Sequence, residues 1–534
     1  MLNMFNPVLR VLRFWRSWIS VIAPVVLTAI PLTADPENEK AMWCAYNILV
    51  CAVYWICECT PLAITSLLPV VLLPLTGVAS TNAVCINYLK GTNMMFLAGL
   101  VMAIAVEHCG LHVRIALNII QGVGTSKRML MLGFMICAMF LSMWISNTAA
   151  TAMMVPIVDA IDKAINSDQN GNETDEHKDI ETTVKKPRDS KSRNFLLLAC
   201  AYASNIGGTG VITGSPPNLV VLSTLNKEFG TGKAPLSYAT WMAFNVPLML
   251  VNTLAAWCLL IAMEAYATRG SPKPTREGEL KVKNILAGKK RELGKMSLHE
   301  IQVLILFILL VILWFFQDPV FITGWASFFT KATVGSATPA VLIVWMLFLL
   351  PKNVSSTQPS EALLDWHTVE KRLPWGVILL LGGGFALADA TASSGLSNYL
   401  ASKLISLQYL ETWQINLIIS CATTFVTEMS LSLCQNPIYL MMTAAVCCSY
   451  AFMLPVATAP NAIVFSHSTM KTSDMMKAGF LLNIICIITT NFAINTWGVP
   501  LFGLSEFPAW AGPSAPSCNI TSGLDLSTTI PGAL

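Results

Sequence analysis

Charge is scarce in this sequence. Only 12% of its 534 residues are Asp, Glu, Lys or Arg, against about 25% in a typical soluble domain. With 54% hydrophobic residues and a mean hydropathy of +0.61, that shortage excludes an ordinary soluble globule. No catalytic triad, phosphate-cradling loop or metal-ligand cluster stands out, so the chain is not expected to be an enzyme. The fifteen cysteines lack any zinc or redox spacing. Most of them (Cys51, Cys57, Cys137, Cys200, Cys421, Cys447, Cys448 and Cys486) sit inside apolar runs and read as small buried hydrophobes. The net charge is only +3, and no nucleic-acid partner is expected. The first apolar run lacks a small-residue cleavage site and reads as a retained span.

What is present is a series of apolar runs long enough to cross a bilayer, roughly 17 to 25 residues each. Examples are "SWISVIAPVVLTAIPL" from 17, "IQVLILFILLVILWFF" from 301 and "AGFLLNIICIITTNFAINTW" from 478. Arg10, Arg13 and Arg16 precede the first span, and two polar segments, 162–194 and 268–299, interrupt the later ones. By the excess of Lys and Arg on the inner side, these and the N-terminus are expected to be cytoplasmic. The expected organisation is an N-terminal segment and first span (1–35), a first repeat (36–267), a cytoplasmic linker (268–299), a second repeat (300–503) and an extracellular tail (504–534).

The repeat is legible in three pairs of segments. "TPLAITSLLPVVLLP" at 60–74 resembles "TPAVLIVWMLFLLP" at 338–351. "LAGLVMAIAVEHCGL" at 97–111 aligns with "GGGFALADATASSGL" at 382–396, matching Gly110 to Gly395. "TGSPPNLVVLS" at 213–223 aligns with "VATAPNAIVFS" at 456–466, matching Asn218 to Asn461. Each copy thus carries a Pro-Asn break within a long apolar segment. Proline removes a backbone donor and pushes the preceding residue out of helical geometry. Each break is read as a discontinuous helix, with an unwound stretch near mid-membrane. Irregular backbone is tolerated there only where it is buried or lines a cavity. A simple kink would explain one copy; two matched copies beside Thr, Ser and Asn favour a binding site.

"WISNTAATAMMVP" at 144–156 places Ser146, Asn147 and Thr148 between two apolar arms, as at the tip of a re-entrant hairpin. The second half offers one arm, 413–429, and then runs into "SLSLCQNPIYLMM". No second Ser-Asn-Thr follows. Roughly a dozen and a half residues demanded by the repeat are absent, about one bilayer crossing.

"WISNTAATAMMVP", "GSPPN", "LPWGVILLLGGGFALA" at 373–388, "SYAFMLPVATAPNAIVFS" at 449–466 and "INTWG" at 494–498 together resemble the divalent anion/sodium symporter family. That family carries sodium-coupled citrate, dicarboxylate and sulfate transporters, and the chain resembles its animal di- and tricarboxylate carriers most. The resemblance covers nearly the whole length. It implies an all-α polytopic membrane fold with inverted repeats, re-entrant hairpins and discontinuous helices, the second hairpin here truncated. It also implies a homodimer, elevator-type alternating access, Na⁺ as coupling ion without an organic cofactor, a carboxylate substrate and a plasma-membrane location. Ser142, Ser146, Asn147 and Gly214 would form a first sodium site, and Thr427 and Ala457 part of a second. Asn147, Thr148 and Pro216, with Asn218 and Asn461 of the two breaks, would attend the substrate. The chain departs from the family in lacking the second Ser-Asn-Thr and in having Ala459 where a proline is usual. The alternative is a member of this family that does not transport.

Other polar residues have plain readings. Glu428 reads as a buried hydrogen-bonding group and His467 as a structural donor. Glu107, His108 and Asp389 read as solvated span ends, and Lys471, Asp474 and Lys477 as a surface turn. Of two glycosylation sequons, Asn172 lies in the presumed cytoplasmic loop and is expected unused; Asn519 lies in the tail and is the candidate acceptor. An arm at 413–429 that crossed instead of re-entering, at about 25 Å as a helix, would invert the following spans and turn Asn519 inward.

Overall fold

The computed structural model describes residues 14–124, 126–166, 191–230, 234–267, 276–319, 322–329, 334–353, 361–397, 399, 436–455, 457–505, 508 and 510. Thr427, Glu428, the arm at 413–429 and the sequons at Asn172 and Asn519 lie outside those residues. The regular structure among the described residues is helical, with one isolated antiparallel bridge between Pro351 and Ala362. Among the described residues, seven helical stretches are long and apolar enough to span a bilayer: Trp15–Leu32, Pro36–Cys57, Thr81–His108, Tyr238–Ala267, Leu298–Phe315, Trp375–Ser393 and Thr472–Asn495. The protein is an all-α, multi-pass membrane protein.

The main helices are α1 (Trp15–Leu27), α2 (Glu39–Cys57), α3 (Leu68–Leu75), α4 (Gly91–His108), α5 (Leu111–Val123), α6 (Lys127–Ser142), α7 (Asn147–Asn166), α8 (Lys191–Gly207) and α9 (Pro216–Phe229). There follow α10 (Tyr238–Ala267), α11 (Arg276–Glu292), α12 (Leu298–Phe315), α13 (Ala337–Leu349), α14 (Trp375–Ser393), α15 (Pro437–Cys448), α16 (Ala459–Ser466) and α17 (Thr472–Asn495). A helix that spans a bilayer is apolar on both faces, and α12 shows this. On α12, Val303, Leu306, Leu310 and Trp314 are buried, while Ile301, Ile305, Ile308 and Ile312 are exposed on the opposite side. Each set repeats every three to four residues, one stripe for the protein interior and one for lipid.

Segments aligned with each other in the sequence share backbone features. The spans α4 and α14 each end at a glycine, Gly110 and Gly395, with the same φ of 78°. That left-handed conformation disfavours any side chain, which explains why both copies have glycine there. Leu111 and Leu396, which follow, are both buried. Downstream, α8 and α9 flank one break, and α15 and α16 flank the other.

Polar side chains gather at one end of the helices. Glu264, near the end of α10, holds Lys127 at the start of α6 (2.9 Å) and Ser192 at the start of α8 (2.9 Å). Arg193 pairs with Asp159 of α7 at 2.7 Å. Asn194 Nδ2 donates to Thr469 Oγ1, in the turn between α16 and α17, at 3.2 Å. Arg114 of α5 donates to Glu300 (2.9 Å) and to the carbonyls of Leu293 and Gly294, beyond the basic last turn of α11. At the opposite end, Lys227 of α9 pairs with Asp389 of α14, so Asp389 is in an ion pair there.

Candidate functional site

The turn at 143–146 joins α6 to α7 and places the Ser-Asn-Thr motif where a helix begins. Ser146 Oγ accepts from the Ala149 N–H (3.2 Å), which caps α7. Asn147 and Thr148 follow, Asn147 half-buried and Thr148 exposed. Beneath them, the Ser142 hydroxyl faces two acceptors: Asn147 Oδ1 and the Ser204 carbonyl, the latter at 2.7 Å. A serine hydroxyl has one proton, so one of these oxygen pairs is left without a hydrogen between its members. Ser142 is fully buried, and so is Ser204, whose own Oγ has no partner among the described residues.

Asn147 can approach the first break because Gly208 has no side chain. A Cβ at Gly208 would lie 2.7 Å from Asn147 Oδ1. From Gly208 the chain leaves helical geometry, makes a single 3₁₀ turn at Ile212–Gly214 and resumes as α9 at Pro216. Proline at the first helical position costs no hydrogen bond. Gly214 and Pro216 are half-buried at this point.

Asn218 and Asn461 stand in the same relation to their breaks. Asn218 Nδ2 donates to the carbonyls of Gly208 (3.0 Å) and Val211 (2.9 Å), ten and seven residues back. Asn461 Nδ2 donates to Ala451 (2.8 Å) and Leu454 (3.1 Å), again ten and seven residues back. Both side chains are fully buried. Each amide therefore gives a donor to one carbonyl that the unwound backbone leaves without one among the described residues, Gly208 or Ala451, and adds a second bond to Val211 or Leu454, which already accepts from the Gly214 or Ala457 N–H; this helps a break exist in an apolar interior.

The two breaks also meet each other. Asn205 Nδ2, in the last turn of α8, lies 3.1 Å from Thr458 Oγ1 and 3.3 Å from Asn461 Oδ1. Ser215 Oγ, just before α9, lies 3.3 Å from Ser449 Oγ, just after α15. Helix α16 packs against α7 and α8, and α9 packs against α15. Three helix N-termini, at Asn147, Pro216 and Ala459, thus open within one knot of contacts. Each carries partial positive charge suited to an anion. Ala457, expected at the second sodium site, is exposed beside Thr458, as is Ala459.

The structure therefore gathers Ser142, Ser146, Asn147, Gly214 and Pro216 around the first break, with Ala457 and Asn461 at the second. Ser204, Asn205, Ser215, Ser449 and Thr458 join them without being singled out by the sequence; their only signal is that each flanks a break. The donors are hydroxyl, amide and carbonyl oxygens, the set that suits a hard cation.

Residues 12–428 and 418–504 match the family described as the sodium:sulfate symporter transmembrane region. The match comes in two pieces that overlap at 418–428. The chain is 38% identical to the Na⁺/citrate cotransporter of Mus musculus, over 89% of this chain and 93% of that one. It is 36% identical to solute carrier family 13 member 2 of Mus musculus, over 97% and 98%. It is 35% identical to Na⁺/dicarboxylate cotransporter 3 of Rattus norvegicus, over 95% of each. With that family pattern matched along most of its length, and relatives of this identity spanning nearly all of it, the chain belongs to the sodium:sulfate symporter family.

Proposed function

We propose that this chain is a sodium-coupled symporter of di- and tricarboxylates such as citrate and succinate, a homodimer of the plasma membrane working by elevator-type alternating access. The observation that carries this reading is the Ser142 hydroxyl set between two acceptors, Asn147 Oδ1 and the Ser204 carbonyl, in a fully buried position. Converging oxygens with too few protons are relieved by a cation, and Na⁺ supplies that charge beside an anionic substrate. Ser142, Ser146, Asn147 and Gly214 hold the first ion, and Ala457, with Thr427, part of the second. Asn147, Thr148 and Pro216 face the carboxylates, whose charge the three helix N-termini favour. Asn218 and Asn461 serve the substrate by holding the two loops in shape. Inward movement draws on the sodium gradient and on a membrane potential worth about 2.3 kcal/mol per charge per 100 mV.

The named relatives support the substrate class, two of them being a citrate and a dicarboxylate cotransporter. A second reading, a family member that does not transport, is favoured by the family match falling into two pieces at 418–428. Uptake of labelled citrate and succinate into proteoliposomes, with sodium or choline outside, separates the two. Saturable sodium-dependent uptake that Asn147→Ala abolishes establishes transport. Absent uptake by well-incorporated protein, restored by a second Ser-Asn-Thr arm inserted after Glu428, establishes the second reading.

A further inference from the structure

The two breaks are braced against each other in a reciprocal way. The residue that precedes each second half-helix, Ser215 before α9 and Thr458 before α16, meets the end of the other copy's first half-helix. The two braces differ in strength. Ser215 and Ser449 share one contact, whereas Asn205 spends both amide hydrogens on the second copy, at Thr458 Oγ1 and Asn461 Oδ1. Asn205 is 1% exposed and Asn461 0%.

Both groups that Asn205 reaches already shape the second break. Thr458 Oγ1 accepts from the Asn461 N–H (3.4 Å) and caps α16. Asn461 holds the carbonyls of Ala451 and Leu454. On its other side, Asn205 is covalently joined to Ser204, whose carbonyl receives Ser142, and lies in the turn leading to Gly208, on which Asn147 rests. One turn of α8 thus touches the first cation knot with its backbone and the second break with its side chain.

We propose that Asn205 is a positioning residue that couples the two half-sites: it fixes the start of α16, and with it the backbone at Ala457, according to how the last turn of α8 is held at Ser142 and Asn147. The assignment rests on the sodium reading given above and goes beyond it in naming the residue that transmits occupancy. An ion at the first knot orders the α8 turn. The second break is then already in place, so later ligands bind with less ordering to do, which is positive coupling between sites. Buried amide-to-amide and amide-to-hydroxyl bonds suit this role because the alternative, a buried unpaired Asn461 Oδ1, is costly.

The test is thermal unfolding of the purified full-length protein in detergent, across a NaCl series with choline chloride holding ionic strength constant. Wild type is expected to gain stability with sodium along a curve with a Hill coefficient above one. Asn205→Ala is expected to raise the sodium midpoint by about fivefold or more, the low end of measured site couplings, and to bring the Hill coefficient to one. Thr458→Val should do the same, Thr458→Ser should behave as wild type, and the Asn205→Ala/Thr458→Val double variant should be no worse than either single. If Asn205→Ala does not accumulate, the Thr458→Val and Thr458→Ser pair reads the same contact. A variant whose melting temperature drops equally at every sodium concentration, with midpoint and slope unchanged, overturns the assignment and leaves Asn205 a structural amide. A wild-type protein without any sodium response overturns the sodium reading itself, and this assignment with it.

Discussion

A hydroxyl with one proton between two acceptors is an unstable arrangement in an apolar interior, and Ser142 is placed in one. Its oxygen meets Asn147 Oδ1 and the Ser204 carbonyl, and among the described residues no charged side chain bonds to any of the three. If a cation is what these oxygens await, Ser142→Ala removes one ligand and about tenfold more sodium is needed for half-maximal stabilisation, a loss near 1.4 kcal/mol. The check is the sodium midpoint of thermal unfolding against a choline control. A lowered melting temperature with an unmoved midpoint would make Ser142 a packing residue alone. Gly208→Ala should act on the same knot from the other side, since its Cβ would fall 2.7 Å from Asn147 Oδ1. Overpacking of this kind costs about 1–3 kcal/mol, and here it displaces the amide that the proposed site depends on. Sodium-dependent uptake should therefore fall more than stability does, as parallel uptake and unfolding measurements can show. The Asn147 position was legible in the sequence because polar atoms in an apolar run demand partners, and Ser142 was legible only through the family resemblance. Asn205 was not: under the repeat alignment its counterpart is Cys448, and its partners, Thr458 and Asn461, lie some 250 residues away.

A break in a membrane helix strands carbonyls, and the two breaks solve this with the same residue at the same spacing. Asn218 and Asn461 each reach back ten and seven residues to donate both amide hydrogens. The sequence showed the Pro-Asn pairs and hence the breaks. It could not show whether those amides face a ligand or their own loop, because that depends on how the unwound backbone turns. The geometry yields an expectation about the pair. Asn218→Leu and Asn461→Leu preserve approximate volume and each leave one carbonyl, that of Gly208 or of Ala451, without its donor. The cost is about 1–3 kcal/mol for each stranded group, larger for Asn461→Leu because it also takes an acceptor from Asn205 Nδ2, and present without sodium or substrate. Thermal unfolding in choline chloride measures it. A marked loss in one variant and none in the other would mean that the matched spacing does not reflect matched work.

At the scale of the molecule, the question is which way the chain faces, and the side-chain bonds at one end bear on it. Asn194, near the start of α8, bonds Thr469 in the turn before α17. Glu264, near the end of α10, bonds Ser192. The turn at 467–471 and the end of α10 therefore lie at the same end, the one from which the chain leads on to the basic helix α11. From that turn α17 runs 24 residues, about 36 Å at 1.5 Å per residue, enough to cross the hydrocarbon core. At its far end Trp497 Nε1 donates to the Phe244 carbonyl, near the start of α10, at 3.3 Å. The chain that continues past residue 505 thus leaves from the end opposite α11. If Lys289, Lys290 and Arg291 mark the cytoplasmic side, the tail is outside, and an arm at 413–429 that inverted the later spans is disfavoured. Asn519 should then carry a glycan in cells, while Asn172 should not. Enzymatic deglycosylation is expected to increase gel mobility of the wild type and of Asn172→Gln, and to leave Asn519→Gln unchanged. A shift abolished only by Asn172→Gln would reverse the orientation of the whole molecule. It would move the basic helix outside and place the Ser142 knot on the opposite side of the sodium gradient.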